Sequence, residues 1–376
     1  MNNELPAALT HVFERSAHPY HMWDGIQSIP AGMEDILSPQ VASVVRASAA
    51  AMRSKLPIHL MGCGTSFFAA HAIAQAIQQV AGLPAYPWEA FELMAYPPVE
   101  LENSSLVGIS HTGGTPSVVR AIEMARERGA CTVGYTDGVP SALERSSEWV
   151  VASTLGAELA LPKTRSYLAS LMRGYLHAVE LGRLNGKDVS AIENALGGAP
   201  ALARQVIASV EPQARELAQA WAGCRRVIVS GGGPQFATAQ EGMLKLTEAA
   251  MFSSVTWEIE EAVHGTWAST LEEDLVILLA MDGPSYESAL RLAGGMKTIG
   301  AKVWALTNCA WTGVPVDAVT ELPGGEPEVL MPLYTILPLY EFAYFSALAR
   351  GLSPDNMRLS DERFLAARMQ MRTSLT

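Results

Sequence analysis

The chain has 376 residues, enough for two or three domains, and 49% of them are hydrophobic while 17% are charged. This composition excludes an intrinsically disordered chain and a coiled coil. The formal net charge of −12 also argues against nucleic-acid binding, because that needs stripes of Lys and Arg that displace counterions.

No targeting or membrane segment is evident. Residues 1–23 show no basic segment followed by an apolar run, so no signal peptide is predicted. The longest apolar stretch, 330–349, contains Pro332, Pro338 and Glu341, which favours a buried helix over a membrane span. The cysteines form no CxxC pair: Cys63, Cys131, Cys224 and Cys309. We therefore expect a cytoplasmic protein with no metal centre.

An internal repeat is the most informative feature of the chain. Residues 58–72, IHLMGCGTSFFAAHA, align with residues 227–241, VIVSGGGPQFATAQE. In both copies a short apolar run ends in Gly-x-Gly and a helical pattern follows. Repeats at a fixed offset indicate that one structural unit is present twice.

The repeat continues downstream, where residues 106–137 match residues 275–308. Each copy reads as strand, turn, amphipathic helix and second strand, and this alternation predicts parallel sheets covered on both faces. We therefore predict an α/β protein with two tandem doubly wound parallel-sheet domains. The predicted boundaries are a helical segment over 1–45, a first domain over 46–195, a second domain over 205–350 and a tail over 351–376.

Two glycine-containing loops follow the predicted strands of the first half. The loop 110–115, SHTGGT, places three hydroxyls and two glycines at a helix start. An N-cap explains one such hydroxyl, but three beside two glycines favour an anion site. The turn 62–66, GCGTS, is not a dinucleotide fingerprint because Phe67 stands where a glycine would be needed. The sequence also has no GxxxxGK[ST] or HExxH motif, which argues against NAD, ATP and zinc chemistry.

The second half carries a polar face on a predicted helix. Glu241, Lys245 and Glu248 are spaced i, i+4 and i+7 and so lie on one side. They are either a solvated ion pair or the lining of a cleft, and the apolar residues around them favour the cleft. His264 follows sixteen residues after Glu248; from pattern alone, a single histidine is more often structural than catalytic.

Several motifs together resemble the sugar isomerase (SIS) proteins, in particular the isomerase half of glucosamine-6-phosphate synthases and its stand-alone relatives. The resemblance covers nearly the whole chain and implies flavodoxin-like SIS domains. The motifs that carry it are HPYHMWDGIQSIP from His18, GCGTS at 62–66, SHTGGT at 110–115, ELALPKTRSY from Glu158, and QEGMLKLTE at 240–248 followed by EEAVHG.

The resemblance implies a role for each matching residue. Glu248 would be the base that moves a proton between C1 and C2, and Lys245 would orient the intermediate. His264 would assist ring opening from the neighbouring subunit, so a homodimer with a shared active site is implied. No cofactor is implied. The implied phosphosugar-binding residues are Gly64, Thr65, Ser66, Ser110, His111, Thr112, Thr115, Lys163 and Thr164.

The chain also departs from the family pattern. It begins without the cysteine nucleophile of a glutaminase domain, so we expect no glutamine-dependent synthesis. In the tail, Arg358 matches a family arginine and is a possible contact to the site, but Glu362 stands where the synthases have a lysine. Lys163 replaces a serine of the phosphate side, and His111 also differs from the usual loop.

Three functions are compatible with these residues. The leading hypothesis is an enzyme that releases amine or ammonia from a nitrogen-bearing hexose 6-phosphate, as a fructosamine-6-phosphate deglycase or an amino-sugar-6-phosphate deaminase. The second is an aldose–ketose phosphosugar isomerase whose substrate contains no nitrogen. The third is a non-catalytic sugar-phosphate sensor, against which the joint presence of Lys245, Glu248 and His264 argues.

Overall fold

Two five-stranded parallel sheets organise the protein, whose structure, a computed structural model, describes residues 7–372. The strands are β1 (Ile58–Gly62), β2 (Ala85–Glu89), β3 (Ser105–Ile109), β4 (Cys131–Thr136), β5 (Trp149–Ala152), β6 (Val227–Gly231), β7 (Ser254–Glu258), β8 (Leu275–Leu279), β9 (Lys302–Thr307) and β10 (Ala318–Glu321). The spatial orders are β2-β1-β3-β4-β5 and β7-β6-β8-β9-β10, so the two sheets have the same topology.

The helices lie between these strands and at both ends of the chain. They are α1 (His21–Gln27), α2 (Ile29–Ile36), α3 (Pro39–Arg53), α4 (Thr65–Ala76), α5 (Ala90–Ala95), α6 (Pro116–Glu127), α7 (Ala142–Ser146), α8 (Arg165–Leu184), α9 (Ser190–Trp221), α10 (Pro234–Ala250), α11 (Tyr286–Ile299), α12 (Pro332–Ala349) and α13 (Glu362–Arg372). Short 3₁₀ turns and a π-helical extension of α4 complete the described chain.

The predicted fold class is confirmed. The central strands β1, β3, β6 and β8 are buried at every residue, as expected for parallel strands covered on both faces. Their order, with the second strand at the edge and the first beside the third, is that of a flavodoxin-like sheet. Each first strand ends in a glycine, Gly62 or Gly231, and leads into a helix.

The two halves meet through equivalent helices. Helix α4 of the first half packs on α10 of the second, and His71 Nδ1 lies 3.2 Å from Gln240 Oε1. His71 and Gln240 occupy the same position of the two repeats, and such a self-equivalent contact is what a two-fold relation between the halves requires. The second half of α10, which carries Lys245, is therefore brought beside the start of α4.

The apolar stretch 330–349 forms α12, which is buried along nearly its whole length against α9 and α10. This agrees with the prediction of a buried helix. Within residues 7–372, no helix has both the length and the apolar character that crossing a bilayer requires.

Candidate active site

The turn after β1 has a backbone that only glycine tolerates well. Gly64 adopts φ +55° and ψ −124°, outside the regions open to L-residues. At Gly62 a Cβ atom would lie 2.5 Å from the main chain of Ser66, so the turn closes tightly onto the first turn of α4. Thr65 is the first residue of α4, and the unpaired amides of this helix end suit an anion.

The loop after β3 forms a second, adjoining part of this surface. Ser110 is buried, and its Oγ lies 2.9 Å from Thr115 Oγ1 while accepting a hydrogen bond from the Thr115 amide. Thr112 is exposed at the tip of the loop. Cys63 Sγ lies 3.5 Å from Ser117 Oγ, which joins the first turn to the start of α6. The two loops therefore present hydroxyls and two helix N-termini at one edge of the sheet.

The side chain of His111, in contrast, is turned into the protein. Its Nδ1 lies 2.9 Å from Asp137 Oδ2, and its Nε2 accepts a hydrogen bond of 3.1 Å from the amide of Glu158. An Nε2 that accepts leaves the proton on Nδ1, where it is donated to Asp137. His111 thus ties the loop 110–115 to the segment that starts at Glu158, and its ring is not directed at a ligand.

Asp137 continues this buried chain of contacts. Its carboxylate also forms an ion pair with Arg173, and both side chains are almost fully buried. Burial alone would raise the pKa of Asp137, but the charge of Arg173 and the hydrogen bond from His111 outweigh it and hold the pKa below its ordinary value. Asp137 is therefore ionised and fixes the orientation of the His111 ring.

Glu158 closes the N-terminus of α8. Its carboxylate accepts hydrogen bonds from the amides of Thr164 (2.9 Å) and Ser166 (2.8 Å), and from the Thr164 hydroxyl (2.9 Å). Burial opposes ionisation of Glu158, but the charge of Lys163 and the hydrogen bonds from these amides lower its pKa. The hydroxyl of Thr164 is fully buried and committed to Glu158. The Lys163 ammonium lies on the same segment and donates to main-chain oxygens.

The polar face of α10 lies beside the first turn of α4. The Lys245 ammonium is 2.5 Å from Glu248 Oε2 and 3.6 Å from Glu241 Oε1, and it donates a 3.1 Å hydrogen bond to Thr65 Oγ1. Lys245 and Glu241 are buried, whereas the Glu248 side chain is 16% exposed. Of the two carboxylates, Glu248 is thus the one that a small molecule can reach.

The charges of this group depend on one another. Burial raises the pKa of Glu241 to about 7 even though Lys245 lowers it, and Tyr340 donates a 3.0 Å hydrogen bond to Glu241 Oε1. For Lys245 burial acts in the other direction, but the two carboxylates outweigh it and raise its pKa. Lys245 therefore stays an ammonium between the two acids at neutral pH.

Within residues 7–372, two further predicted residues, His264 and Arg358, make no hydrogen bond or ion pair with this group. His264 is exposed at the end of a 3₁₀ turn, and within residues 7–372 its ring has no hydrogen bond or ion pair to Glu248 or Lys245. Arg358 has φ +66°, and its guanidinium stacks over the ring of Phe364. The tail does reach the segment after Glu158, because the Leu161 amide donates to the main-chain oxygen of Asp355 at 2.9 Å.

The equivalent loops of the second half have the opposite electrostatic character. Gly233 repeats the backbone of Gly64, with φ +56° and ψ −132°. The loop after β8, however, carries Asp282, and Glu328 packs against Gly283. Burial and the charge of Asp282 raise the pKa of Glu328. Such an acidic surface disfavours a phosphate. A phosphate is better accommodated by the turn 62–66 and the loop 110–115 of the first half, which together are called the anion cradle.

Comparison with known proteins agrees with the presence of two similar halves. The model of the SIS domain family matches residues 52–180 and 222–347, which is more than half of the chain. The chain belongs to the SIS domain family. This confirms the resemblance inferred from the sequence motifs.

Individual relatives show which SIS proteins this chain is similar to in sequence and in fold. It is 28% identical to the glutamine–fructose-6-phosphate aminotransferase of Symbiobacterium thermophilum, over 92% of its own length and 59% of that relative. The chain thus spans just over half of that protein. Its fold is similar to the C-terminal domain of glucosamine-fructose-6-phosphate aminotransferase from Francisella tularensis (TM-score 0.82, 19% identity, 91% of this chain and 99% of that one). It is also similar to glucosamine-6-phosphate deaminase from Thermotoga maritima (TM-score 0.69, 19% identity, 89% and 95%).

Sequence reasoning missed the supporting shell of this SIS site. Asp137 directly follows β4 at the carboxyl edge of the sheet, which is where ligand sites of such folds lie, and that rule could have identified it. Arg173 and Tyr340 lie inside long buried helices, and no local motif marks them. Within the described residues no group of His, Cys, Asp and Glu is arranged to hold a metal ion.

Proposed function

We propose that this SIS protein acts at C1–C2 of a nitrogen-bearing hexose 6-phosphate and releases an amine or ammonia. The observation that carries the proposal is the Lys245–Glu248 pair, because the Lys245 ammonium also donates a hydrogen bond to Thr65 of the anion cradle. Lys245 thus links the candidate base, Glu248, to the anion cradle. This arrangement suits a phosphorylated sugar whose phosphate binds the cradle while its reacting carbons lie beside Glu248.

In the proposed reaction, Glu248 removes a proton from one of the two carbons and returns it to the other. A partly shielded carboxylate is a suitable base for such a step, and the Lys245 ammonium stabilises the negative charge that develops on the sugar oxygen. The proton on nitrogen passes to the sugar oxygen, which becomes a hydroxyl, and the carbon–nitrogen bond becomes an imine that water hydrolyses to a carbonyl and the amine or ammonia. The phosphate is held by the backbone amides at the N-termini of α4 and α6 and by the hydroxyls of Ser110, Thr112 and Thr115.

Ring opening needs a further acid or base, and we assign it to His264 of a second copy of the chain. Within one chain His264 is exposed and separate from Glu248, so a homodimer is required to complete the site. We place this activity in the cytoplasm, where sugar phosphates are formed. The names of the aminotransferase and deaminase relatives support chemistry on aminated sugar phosphates.

The test is a release assay with glucosamine 6-phosphate, several fructosamine 6-phosphates and fructose 6-phosphate, in which ammonia, amine and hexose phosphate are followed together. Nitrogen release together with a hexose phosphate would support the proposal. Interconversion of ketose and aldose without nitrogen release would replace it with the isomerase alternative. Binding of phosphosugars without any turnover would favour a sensor.

Glu248→Gln should keep phosphosugar binding and lower turnover by about a thousandfold or more, because the amide cannot accept the proton. Binding is checked by the rise in melting temperature with ligand, and turnover by the release assay. Glu216→Gln is the matched control, since Glu216 is exposed on α9. Normal turnover by Glu248→Gln would show that another group is the base.

A further inference from the structure

A cavity lies between helix α1 and the start of α8, away from the residues that the proposed chemistry uses. Its volume is about 220 Å³. It is lined by His21, Asp24, Gly25, Ser28, residues 157–159 and Arg165. All of these residues lie outside the anion cradle and outside the Lys245–Glu248 pair, so the cavity is separate from the candidate active site.

The guanidinium of Arg165 brings a positive charge to this cavity. Its aliphatic stem rests on Gly32 of α2, where a Cβ atom would lie 2.7 Å from Arg165 Cγ. Nη2 donates to the Gly156 carbonyl at 2.5 Å, and Nη1 lies 3.5 Å from Ser28 Oγ. A guanidinium has five N–H donors, so these contacts leave most of them unused. Within residues 7–372 the Arg165 side chain makes no ion pair with a carboxylate.

His21 adds a second polar group whose hydrogen-bonding capacity is unused. Its side chain is 6% exposed, and within residues 7–372 its Nε2 has no hydrogen-bond partner. The Glu14 carboxylate lies 3.8 Å from Nε2, which is too far for a hydrogen bond, and it is mostly exposed to solvent. A buried ring nitrogen without a partner is costly, and as an N–H group it can donate to an anion.

The two acids of the cavity lining are already engaged by other groups. Asp24 forms a 2.7 Å ion pair with Arg15. The Glu158 carboxylate accepts hydrogen bonds from three main-chain amides at the N-terminus of α8. Their charges are thus balanced locally, whereas the charge of Arg165 is not. The cavity therefore favours an anion over a cation.

We propose that this cavity is a second binding site, for a small oxyanion of the size of phosphate. The forked guanidinium of Arg165 and the Nε2–H group of His21 donate hydrogen bonds to its oxygens. The volume is smaller than the roughly 300–1,000 Å³ of pockets that hold drug-sized ligands, which favours a free oxyanion over a sugar phosphate. The bound anion joins α1 to the start of α8.

Inorganic phosphate is the probe for this site, and the ring signals of His21 are the readout. Full-length protein with isotope-labelled histidine is titrated with phosphate at constant pH and ionic strength and followed by NMR. His21→Gln assigns the signal through its loss. We expect the His21 signal to shift and to saturate with a dissociation constant of about 1–10 mM, as a few hydrogen bonds to a small ion give. A His21 signal that does not respond to phosphate would overturn the inference.

Variants of Arg165 test its part in binding. Arg165→Met keeps an apolar stem against Gly32 and removes the guanidinium, so phosphate should bind about 10- to 100-fold more weakly at His21. Arg165→Lys keeps a positive charge without the fork and should weaken binding less. It also provides the comparison if Arg165→Met does not fold. Arg291→Met is the matched control, because Arg291 is an exposed arginine of α11 in the second half, and it should leave the titration unchanged.

Ser110→Ala separates this cavity from the anion cradle. It removes a cradle hydroxyl and should leave the phosphate titration of His21 as it is in the unmodified protein. A response that is weakened by Ser110→Ala but kept in the Arg165 variants would contradict the inference, since the phosphate would then be bound at the cradle. Neither Glu248 nor turnover enters these measurements, so their result does not depend on the proposed reaction.

Discussion

At the scale of single residues, the site depends on one ammonium shared by two acids of different accessibility. Lys245 contacts both Glu248, which a substrate can reach, and Glu241, which is fully buried. Because Lys245 also attracts the Glu241 carboxylate, it stabilises the Glu248 carboxylate less than it would alone. In the proposed mechanism Glu241 is therefore a positioning residue, which keeps Glu248 available as a base without itself facing the substrate.

This sharing predicts a pH effect. Burial raises the pKa of Glu241 to about 7, so as the pH falls below 7 Glu241 gains a proton and Lys245 pairs with Glu248 alone. The closer pairing with Lys245 stabilises the Glu248 carboxylate and makes it a weaker base, so activity should fall as the pH drops below 7. Glu241→Gln, which is permanently neutral, should be about tenfold slower at pH 8 and lack this acid limb.

The pH dependence of kcat in the release assay checks this prediction, and Tyr340→Phe is the companion variant. Tyr340 donates to Glu241 and lowers its pKa, so its loss should move the limb to higher pH without abolishing activity. A limb that is unchanged in both variants would exclude Glu241 from the ionisation that controls the rate.

At the scale of elements, the two strand–turn–helix units have the same backbone but different neighbours. Gly64 and Gly233 share φ near +55° and ψ near −130°, while the loop beside the first carries hydroxyls and the loop beside the second carries Asp282. The repeat therefore supplies an internal control, because equivalent changes cost similar strain but only one affects the anion cradle.

Gly64→Ala and Gly233→Ala should each lower the free energy of unfolding by about 1–3 kcal/mol, the cost of a Cβ in a glycine-only conformation. A Cβ at Gly233 meets nothing within 4 Å and one at Gly64 meets only Leu244 at 3.6 Å, so strain rather than a clash decides the cost. Only Gly64→Ala should also weaken phosphosugar binding, by about tenfold, as its turn holds the anion. Denaturant unfolding and calorimetry measure the two effects. Equal loss of binding in both variants would refute the assignment of the cradle to the first half.

At the scale of the whole molecule, the site is assembled from both halves and, as proposed, from a second chain. The cradle comes from α4 and α6, the base and lysine come from α10, and α4 and α10 are held together by their packing. His264 projects from the second half without a partner in the catalytic group of its own chain. A dimer that brings His264 of one copy to Glu248 of the other would complete both sites.

Mixed dimers test this arrangement. His264→Ala and Glu248→Gln should each lower activity by at least a hundredfold alone. When the two are denatured and refolded together, about half of the dimers are mixed and each of those has one intact site, so about a quarter of the activity should return. Mixing the native proteins without exchange is the control. No recovery after refolding would place His264 and Glu248 of one site in the same chain.

The amino-acid sequence by itself determined the fold class, because the spacing of apolar runs and glycines is a local pattern that occurs twice in the chain. The structure has the same strand order in both halves, as this repeat predicts. It also indicated the two loops and the polar face of α10. The loops are recognisable from their clustered glycines and hydroxyl residues, and the helix face from residues spaced three or four positions apart, which lie on one side of a helix. Tertiary structure alone decided that His111 points to Asp137, that Thr164 serves Glu158, and that Lys245 reaches Thr65. These contacts join residues far apart in sequence, and their choice depends on burial and charge that arise only when the halves pack.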